Sequence, residues 1–281
     1  MTNHDKTSLI NPNGLLAGKV AVITGASRGI GTAIAYRYAQ EGAKVVVCAR
    51  TLDSGDHVLT GGINGVAANI NQAGGTAIAV RADLALAEHR EHLIDQAMAA
   101  FGQVDILVNN GAVTYYAPVH EFSEKRYKLM MEVQVYGAFH LAQLVLPDML
   151  SRQDGRILNI SSHAAIHPAP DAGGRGGTVY GMCKAALERM TTGLAAEVYP
   201  QHIGVNVISP GLVATPGAVY HNLITEESQP RVTPVEHMAE ACLYLVTGTA
   251  QARTGAVTYA ADVVADNKLQ PAALFTTQFC G

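Results

Sequence analysis

Charged side chains are scarce in this sequence. Asp, Glu, Lys and Arg make up 15% of the 281 residues, whereas about 25% is usual for soluble proteins. Hydrophobic residues make up 48%. So few charges cannot cover a monomer of this size well, and we expect apolar surface to be buried between subunits. The net charge of −4, without a basic patch, argues against nucleic-acid binding.

Paired cysteines are lacking as well. The four cysteines are far apart and form no Cys-x-x-Cys pair: Cys48, Cys183, Cys242 and Cys280. This spacing argues against a disulfide framework and against a zinc site. It is typical of reduced, mostly buried thiols in a cytoplasmic protein.

A metal-binding histidine motif is also absent. His163 and His167 have the spacing of two ligands on one helix face, but Pro168 and Pro170 follow at once and no acidic residue lies between them. We therefore predict no metal site.

Long hydrophobic runs are missing too. The first sixteen residues are polar, and nowhere do eighteen apolar residues run together. The sequence therefore predicts neither a secretory signal nor membrane insertion.

What the sequence does contain is an alternation of strand-like and helix-like segments. Short β-branched or aliphatic runs predict seven strands, near residues 19–24, 43–49, 76–81, 104–109, 156–161, 203–208 and 255–260. Helical patterns lie between most of them. This order predicts a single α/β domain in which helices cover both faces of a doubly wound parallel sheet.

The most informative stretch follows the first predicted strand. It reads Thr24-Gly25-Ala26-Ser27-Arg28-Gly29-Ile30-Gly31 and opens a helix-like segment. A helix start offers unpaired backbone N–H groups, and glycines let a pyrophosphate approach the backbone. Gly-x-Ser-x-Gly within it also matches the elbow of α/β-hydrolases, which would make Ser27 a nucleophile. However, only one strand precedes it, and no His-Gly-Gly-Gly loop is present.

Ligands of doubly wound sheets bind beyond the carboxyl ends of the strands, so the residues that follow each strand are candidates for a binding site. They are the glycine-rich turn, Arg50, Asp83, Asn109-Asn110-Gly111, Ser161-Ser162 and Ser209-Pro210-Gly211. The polar and glycine residues at these ends predict a binding cleft.

A tyrosine and a lysine four residues apart begin the helical run 178–198. The spacing places Tyr180 and Lys184 on one helix face. A nearby cation, together with an oxidised nicotinamide ring, can lower the pKa of a phenol toward neutrality, which is the chemistry that proton transfer requires.

These motifs together resemble the short-chain dehydrogenase/reductase family over about residues 17–262. Residues 1–16 would be an N-terminal arm and residues 263–281 a C-terminal extension. The resemblance implies a Rossmann-like fold with a seven-stranded sheet, an NAD(P)(H) cofactor and a homodimer or homotetramer. It also implies that Tyr180 is the general acid/base, that Lys184 lowers its pKa and holds the nicotinamide ribose, and that Ser162 binds the substrate oxygen.

The resemblance also implies the cofactor site. Asp83 would bind near the adenine and Asn110 would line the cleft. The full set of predicted cofactor-binding residues is Gly25, Ser27, Arg28, Gly29, Ile30, Gly31, Arg50, Asp83, Leu84, Asn110, Gly111, Tyr180, Lys184, Pro210, Gly211 and Val213.

The sequence departs from the family pattern at three places. Gly111-Ala112 replaces the usual Ala-Gly, which predicts a different local backbone. The interval between Ser162 and Tyr180 is lengthened. Gln134 stands where the family has a catalytic Asn that holds a water connecting the lysine to solvent. The amide of Gln134 predicts a retained proton relay with a shifted or replaced water.

We expect NADP(H) to be preferred over NAD(H), although NAD(H) remains possible. The end of the second strand carries no carboxylate for the ribose 2′-hydroxyl, and Arg50 and Arg28 can bind a 2′-phosphate.

The substrate is less well determined. Residues 113–119, 163–177 and 212–232 are the expected specificity elements, and they mix Tyr115, Tyr116, His167 and Tyr220 with small and aliphatic residues. Mostly apolar walls suit a hydrophobic alcohol or ketone such as a steroid, terpenoid or aromatic compound. Two alternatives stay open, a 3-hydroxyacyl thioester substrate and a cofactor-binding protein with little or no turnover.

Overall fold

The sheet is the centre of the molecule. A computed structural model describes residues 9–173 and 176–275. Its seven strands are all parallel, in the order β3-β2-β1-β4-β5-β6-β7. They are β1 (Val20–Thr24), β2 (Lys44–Ala49), β3 (Thr76–Arg81), β4 (Ile106–Asn109), β5 (Gly155–Ile160), β6 (Ile203–Ser209) and β7 (Val257–Tyr259). The predicted doubly wound parallel sheet is confirmed.

Nine α-helices connect and flank these strands within the described residues. They are α1 (Gly29–Gln40), α2 (Ile63–Gln72), α3 (Ala87–Phe101), α4 (Glu124–Met131), α5 (Gly137–Arg152), α6 (Thr178–Val198), α7 (Pro216–Tyr220), α8 (Val235–Val246) and α9 (Ala260–Asp266). A π-helical turn, Glu132–Tyr136, joins α4 to α5.

Helices bury both faces of the sheet, and alternate residues of each central strand pack against the helices on opposite faces. In β1, Ala21 and Ile23 belong to the core cluster formed with α1, α2 and α8, whereas Val22 points into the cluster formed with α3 and α5. Successive side chains of a strand point to opposite faces. A strand covered on both faces must therefore be apolar throughout, and all five residues of β1 are buried.

The strand order reverses at β1, which pairs with β2 on one side and β4 on the other. The connections leave in opposite directions there, so a crevice opens at the carboxyl ends of β1 and β4. The parallel register brings the polar ends predicted from the sequence to this one edge.

The chain ends pack against the same domain as far as they are described. Leu274 is buried, Phe275 lies 4.7 Å from the ring of Tyr36, and the Gln40 side chain donates to the Ala273 carbonyl at 3.0 Å. Helix α9 (Ala260–Asp266) spans the predicted boundary between the family domain, which ends at residue 262, and the C-terminal extension, which begins at residue 263. Residues 1–8 and 276–281, including Cys280, lie outside the described residues.

The helical run Glu124–Arg152 is the one described stretch that is long enough and apolar enough to cross a membrane by length and composition. Core helices of soluble proteins meet the same criterion. Here Leu141, Val145 and Met149 are buried in the core cluster on one face of the sheet.

Candidate active site

The glycine-rich turn links β1 to α1 at the crevice. Gly25 and Gly29 have φ of 65° and 58°, which favours glycine. A Cβ on Gly31 would lie 2.5 Å from the Gly25 carbonyl oxygen. Helix α1 has no side-chain N-cap hydrogen bond and no acidic residue in its first turn. Its N-terminal amides and dipole therefore suit an anionic pyrophosphate, so the residues present fit a dinucleotide cofactor.

Thr24 and Asn110 fasten the end of β1 to the end of β4. The Thr24 hydroxyl accepts from the backbone amides of Asn110 and Gly111 at 3.0 and 2.9 Å. The Asn110 side chain donates to the carbonyls of Thr24 and Gly25 at 2.9 and 3.1 Å. Thr24 was not singled out in the sequence, although its place at the strand end was visible.

Gly111, where the sequence departs from the family, packs against Leu84. A Cβ on Gly111 would lie 2.5 Å from the Cδ1 of Leu84, so the strand end is close-packed there. Leu84 is buried, and its carbonyl accepts from the buried guanidinium of Arg90. The neighbouring Asp83 carboxylate accepts from the backbone amide of Ala85 at 3.0 Å.

Tyr180 and Lys184 lie near the start of α6 and face the end of β5. The Lys184 ammonium donates to the Ile160 carbonyl at 2.9 Å and lies 5.5 Å from the centre of the Tyr180 ring. The Ser162 hydroxyl accepts from the amide of Ala164 at 3.2 Å and is also hydrogen-bonded to the Tyr180 phenol. The three predicted catalytic residues are thus brought together.

Burial dominates the protonation of this group. It raises the pKa of Tyr180 to about 12, and the hydrogen bond with Ser162 only partly opposes this. Burial also lowers the pKa of Lys184 to about 8. In the protein chain alone, burial outweighs the effect of neighbouring groups on the pKa of Tyr180. The lowering implied by the family resemblance requires a further positive charge in the site.

Gln134 lies in the π-helical turn and is buried, with 2% of its surface exposed. Its side-chain amide donates to the Val113 carbonyl at 2.8 Å. Its own oxygen, Oε1, is buried without a hydrogen-bond partner among the described residues. A π-helical turn often marks a functional site, and an unpaired buried acceptor is costly unless a water or ligand satisfies it.

The segment after β6 crosses the glycine-rich turn. Pro210 and Gly211 end the strand, with φ of 74° at Gly211, and Val213 is buried. A Cβ on Gly29 would lie 3.1 Å from the Cγ2 of Thr215, which caps α7. The segment that follows β6 therefore contacts the glycine-rich turn through Thr215.

Arg28 and Arg50 differ in their surroundings. Arg28 donates to the carbonyls of Thr60, Leu59 and Gly61 at 2.9, 3.1 and 3.3 Å, so it holds the irregular segment that precedes α2. Burial and then the charge of Arg50 lower the pKa of Arg28. Arg50 is exposed, and no hydrogen bond or ion pair joins its side chain to another described residue. Of the two arginines, Arg50 therefore has the guanidinium that is more available to bind a phosphate.

The expected specificity elements meet around Tyr180. The amide of Ala117 donates to the carbonyl of Gly176 at 3.1 Å, which joins the first element to the second, although Gly174 and Arg175 lie outside the described residues. Tyr116 contacts Tyr180 and His221 edge-on, with centroids 6.1 and 5.8 Å apart. His167 and Tyr220 are exposed. The wall of the cleft is therefore mainly aromatic.

The hydrolase alternative finds no support in this geometry. Ser27 is buried in the turn, and no described histidine is hydrogen-bonded to it. A serine nucleophile requires a base within hydrogen-bond reach.

The chain is similar to known oxidoreductases. A family model described as short chain dehydrogenase matches residues 19–223. An uncharacterized oxidoreductase of Methylorubrum extorquens is 39% identical, over 72% of this chain and 76% of that protein. The 7alpha-hydroxysteroid dehydrogenase of Escherichia coli is 33% identical, over 86% of this chain and 92% of that protein.

A solved structure gives the same result. It is named a "putative NAD(P) dependent gluconate 5-dehydrogenase" from Beutenbergia cavernae, with bound NADP at low occupancy. Its TM-score is 0.77 at 32% identity, and the alignment covers 91% of this chain and 100% of that one. The chain therefore belongs to the short-chain dehydrogenase/reductase family of NAD(P)-dependent oxidoreductases.

Proposed function

We propose that this enzyme transfers a hydride between NADP(H) and the carbinol or carbonyl carbon of a hydrophobic secondary alcohol or ketone. The observation that carries this proposal is the convergence of Ser162, Tyr180 and Lys184 at the end of β5, in the sheet edge that also holds the glycine-rich turn. The cofactor supplies or accepts the hydride when it is bound, and the protein supplies binding, orientation and proton transfer.

Ser162 and Tyr180 bind the reacting oxygen in this mechanism. Because the pKa of Tyr180 is about 12, the phenol is protonated at neutral pH and can donate its proton to a carbonyl oxygen. Ser162 adds a second hydrogen bond as negative charge develops on that oxygen. In ketone reduction the oxygen gains the phenol proton while the carbon gains a hydride. Alcohol oxidation reverses both transfers.

Lys184 orients the cofactor and replenishes the proton. One of its three ammonium protons is used by the Ile160 carbonyl, which leaves two for the ribose hydroxyls. Gln134 extends the path, because its unpaired oxygen can accept a hydrogen bond from a water that exchanges protons with solvent. Its role is that of the family's Asn, with the amide one methylene further from the backbone.

The remaining predicted residues would hold the cofactor. The amides of the glycine-rich turn would bind the pyrophosphate and the Asp83 region the adenine, while Pro210, Gly211 and Val213 would line the nicotinamide side. Arg50, which is exposed and has no ion-pair partner among the described residues, would bind the 2′-phosphate of NADP(H). The NADP bound to the Beutenbergia relative supports this preference.

A hydrophobic substrate is favoured by the aromatic wall that Tyr116 forms beside Tyr180. The similarity to a 7alpha-hydroxysteroid dehydrogenase is compatible with it. The deciding experiment is a panel of hydroxysteroids, cyclic terpenoid alcohols, 1-phenylethanol and a 3-hydroxyacyl thioester, each followed at the absorbance of reduced nicotinamide with NADP⁺ and NAD⁺. Oxidation of the thioester alone would contradict the substrate class. Cofactor binding without turnover of any member would contradict the activity.

We also propose a homodimer or homotetramer. An open cleft of about 870 Å³ runs beside α4, the π-helical turn and α5, lined by side chains that include Leu129, Val135, Tyr136 and Phe139. Tyr136 and Phe139 are both more than 40% exposed. Burying this face in a second copy would remove apolar area from water. Light scattering should show an oligomer that Phe139→Glu dissociates, and a monomeric wild type would contradict the proposal.

We also propose that the protein is located in the cytoplasm. Cys48, Cys183 and Cys242 are free and buried, which suits a reducing compartment.

A further inference from the structure

Tyr116 has a fixed ring and an unused hydroxyl. The edge of the ring contacts Tyr180, with centroids 6.1 Å apart, and another edge contacts His221 at 5.8 Å. The backbone beside it is tied by the hydrogen bond from Ala117 to Gly176. No hydrogen bond joins the Tyr116 hydroxyl to another described residue. Among the described residues, this polar group therefore has no hydrogen-bond partner.

This hydroxyl remains a hydrogen-bond donor over the physiological pH range. Burial raises the pKa of Tyr116 above its ordinary value of 10.0. Repulsion between the two phenolates contributes to the raised pKa of Tyr180, which is consistent with two hydroxyls close to one another in the same cleft. A substrate oxygen bound by Tyr180 therefore lies near a second phenol.

We propose that Tyr116 binds a second oxygen on the substrate, adjacent to the reacting carbon, so that vicinal diols and α-hydroxyketones are the preferred class. The inference rests on the proposed function and narrows it. The ring centres of Tyr116 and Tyr180 lie 6.1 Å apart, so both phenols line the same part of the cleft. A vicinal pair of oxygens offers one hydrogen-bond acceptor to each phenol.

His221 supports this second anchor from the substrate side. It follows α7, is exposed, and contacts both Tyr116 and the neighbouring Tyr220 edge-on. Its ring thus restrains the Tyr116 ring and adds an imidazole at the mouth of the same cleft. Tyr116 and His221 each combine an apolar ring with a polar atom. This combination suits a substrate that is hydrophobic on one side and carries two oxygens on the other.

The test compares two alcohols of equal size that share the reacting carbon. 1-Phenylethane-1,2-diol carries a hydroxyl where 1-phenylpropan-1-ol carries a methyl group. In either reaction the carbinol C–H leaves as hydride to NADP⁺, the hydroxyl proton passes to Tyr180, and the products are the ketone, NADPH and a proton. Loss of a hydrogen bond to a neutral partner costs about tenfold in binding. We expect kcat/KM for the diol to exceed that for the propanol by about tenfold or more.

Tyr116→Phe should reduce this ratio to near one, mainly through a higher KM for the diol. Tyr199→Phe, which removes an exposed phenol just beyond the far end of α6, is the matched control and should preserve the ratio. A ratio near one in the wild type, or an unchanged ratio in Tyr116→Phe, overturns the inference while leaving the proposed function intact. Failure to oxidise the diol also overturns it, and failure to oxidise any secondary alcohol overturns the proposed function as well.

Discussion

The ammonium of Lys184 lies 5.5 Å from the centre of the Tyr180 ring, yet the phenol keeps a pKa of about 12. The lysine is itself buried, with a pKa lowered to about 8, so it bears a full positive charge only below that pH. If Tyr180 is the acid/base we propose, its pKa must fall when the cofactor binds, and the positive charge of an oxidised nicotinamide ring would lower it.

Tyr180→Phe should remove almost all turnover and leave cofactor binding nearly intact. The ring volume is kept while the exchangeable proton is lost, and general acid/base catalysis contributes about 10²–10⁴-fold. Steady-state rates and cofactor titration measure the two effects. Tyr199→Phe is again the control, whereas Lys184→Ala should weaken both turnover and cofactor binding. Retention of about half the activity in Tyr180→Phe would refute the assignment.

At neutral pH, Lys184→Met should have a higher free energy of unfolding than the wild type. This difference should shrink as the pH rises. Lys184 has a folded pKa of about 8 and an ordinary value of 10.5. Between these values the unfolded chain binds a proton that the folded chain does not, so wild-type stability rises with pH through this window. A variant without the amine lacks this rise.

Between pH 7 and 9.5 the difference in the free energy of unfolding should shift by about 2 kcal/mol toward the wild type. The lost hydrogen bond to Ile160 adds an offset that does not depend on pH. Urea unfolding of both proteins across this range measures the shift. A difference that stays constant with pH would show that Lys184 is not buried as the structure places it.

Gln134→Leu should lower turnover on the order of tenfold, and more than it lowers cofactor affinity, because one proton-transfer step loses its hydrogen-bonded path. Gln134→Asn, which restores an amide, should be mild. The measurement is turnover from pH 6 to 9 together with the dissociation constant of the cofactor. Unchanged turnover in Gln134→Leu across this range would leave the relay without support.

Arg50→Ala should weaken NADP(H) binding by about tenfold or more and leave NAD(H) binding unchanged, since a charge-assisted hydrogen bond to a phosphate is lost. Arg28→Ala is the informative comparison. Because Arg28 holds the carbonyls of Leu59, Thr60 and Gly61, its loss should weaken both cofactors to a similar degree. Fluorescence titration with both cofactors decides it. Equal losses for the two cofactors in Arg50→Ala, or equal catalytic efficiency with both in the wild type, would contradict the preference.

Much of the fold could be predicted from local sequence patterns. Each predicted strand appears at its place because a parallel strand buried on both faces must be a continuous apolar run, as in β1 and β2. The convergence of Ser162, Tyr180 and Lys184 was also predictable. The parallel register and the four-residue helical spacing bring such residues together in any doubly wound sheet.

The protonation of buried groups and the hydrogen-bond partners of side chains could not be predicted from the sequence in this way. The sequence contains Arg28 and Arg50 as equivalent cations, and only the packing of residues 59–61 commits one of them to backbone carbonyls. The side-chain oxygen of Gln134 has no hydrogen-bond partner among the described residues, and Gln134 lies in a π-helical turn that no sequence pattern predicts.

The sequence by itself determined the sheet and the family, and it predicted which residues meet at the end of β5, because hydrophobic period, helix spacing and turn chemistry act between neighbours along the chain. The tertiary structure decided the direction of the pKa shifts of Tyr180 and Lys184, the different surroundings of Arg28 and Arg50, and the lack of a hydrogen-bond partner for the Tyr116 hydroxyl among the described residues. These depend on desolvation and on contacts between segments far apart in sequence, and such free energies exist only once the chain has packed.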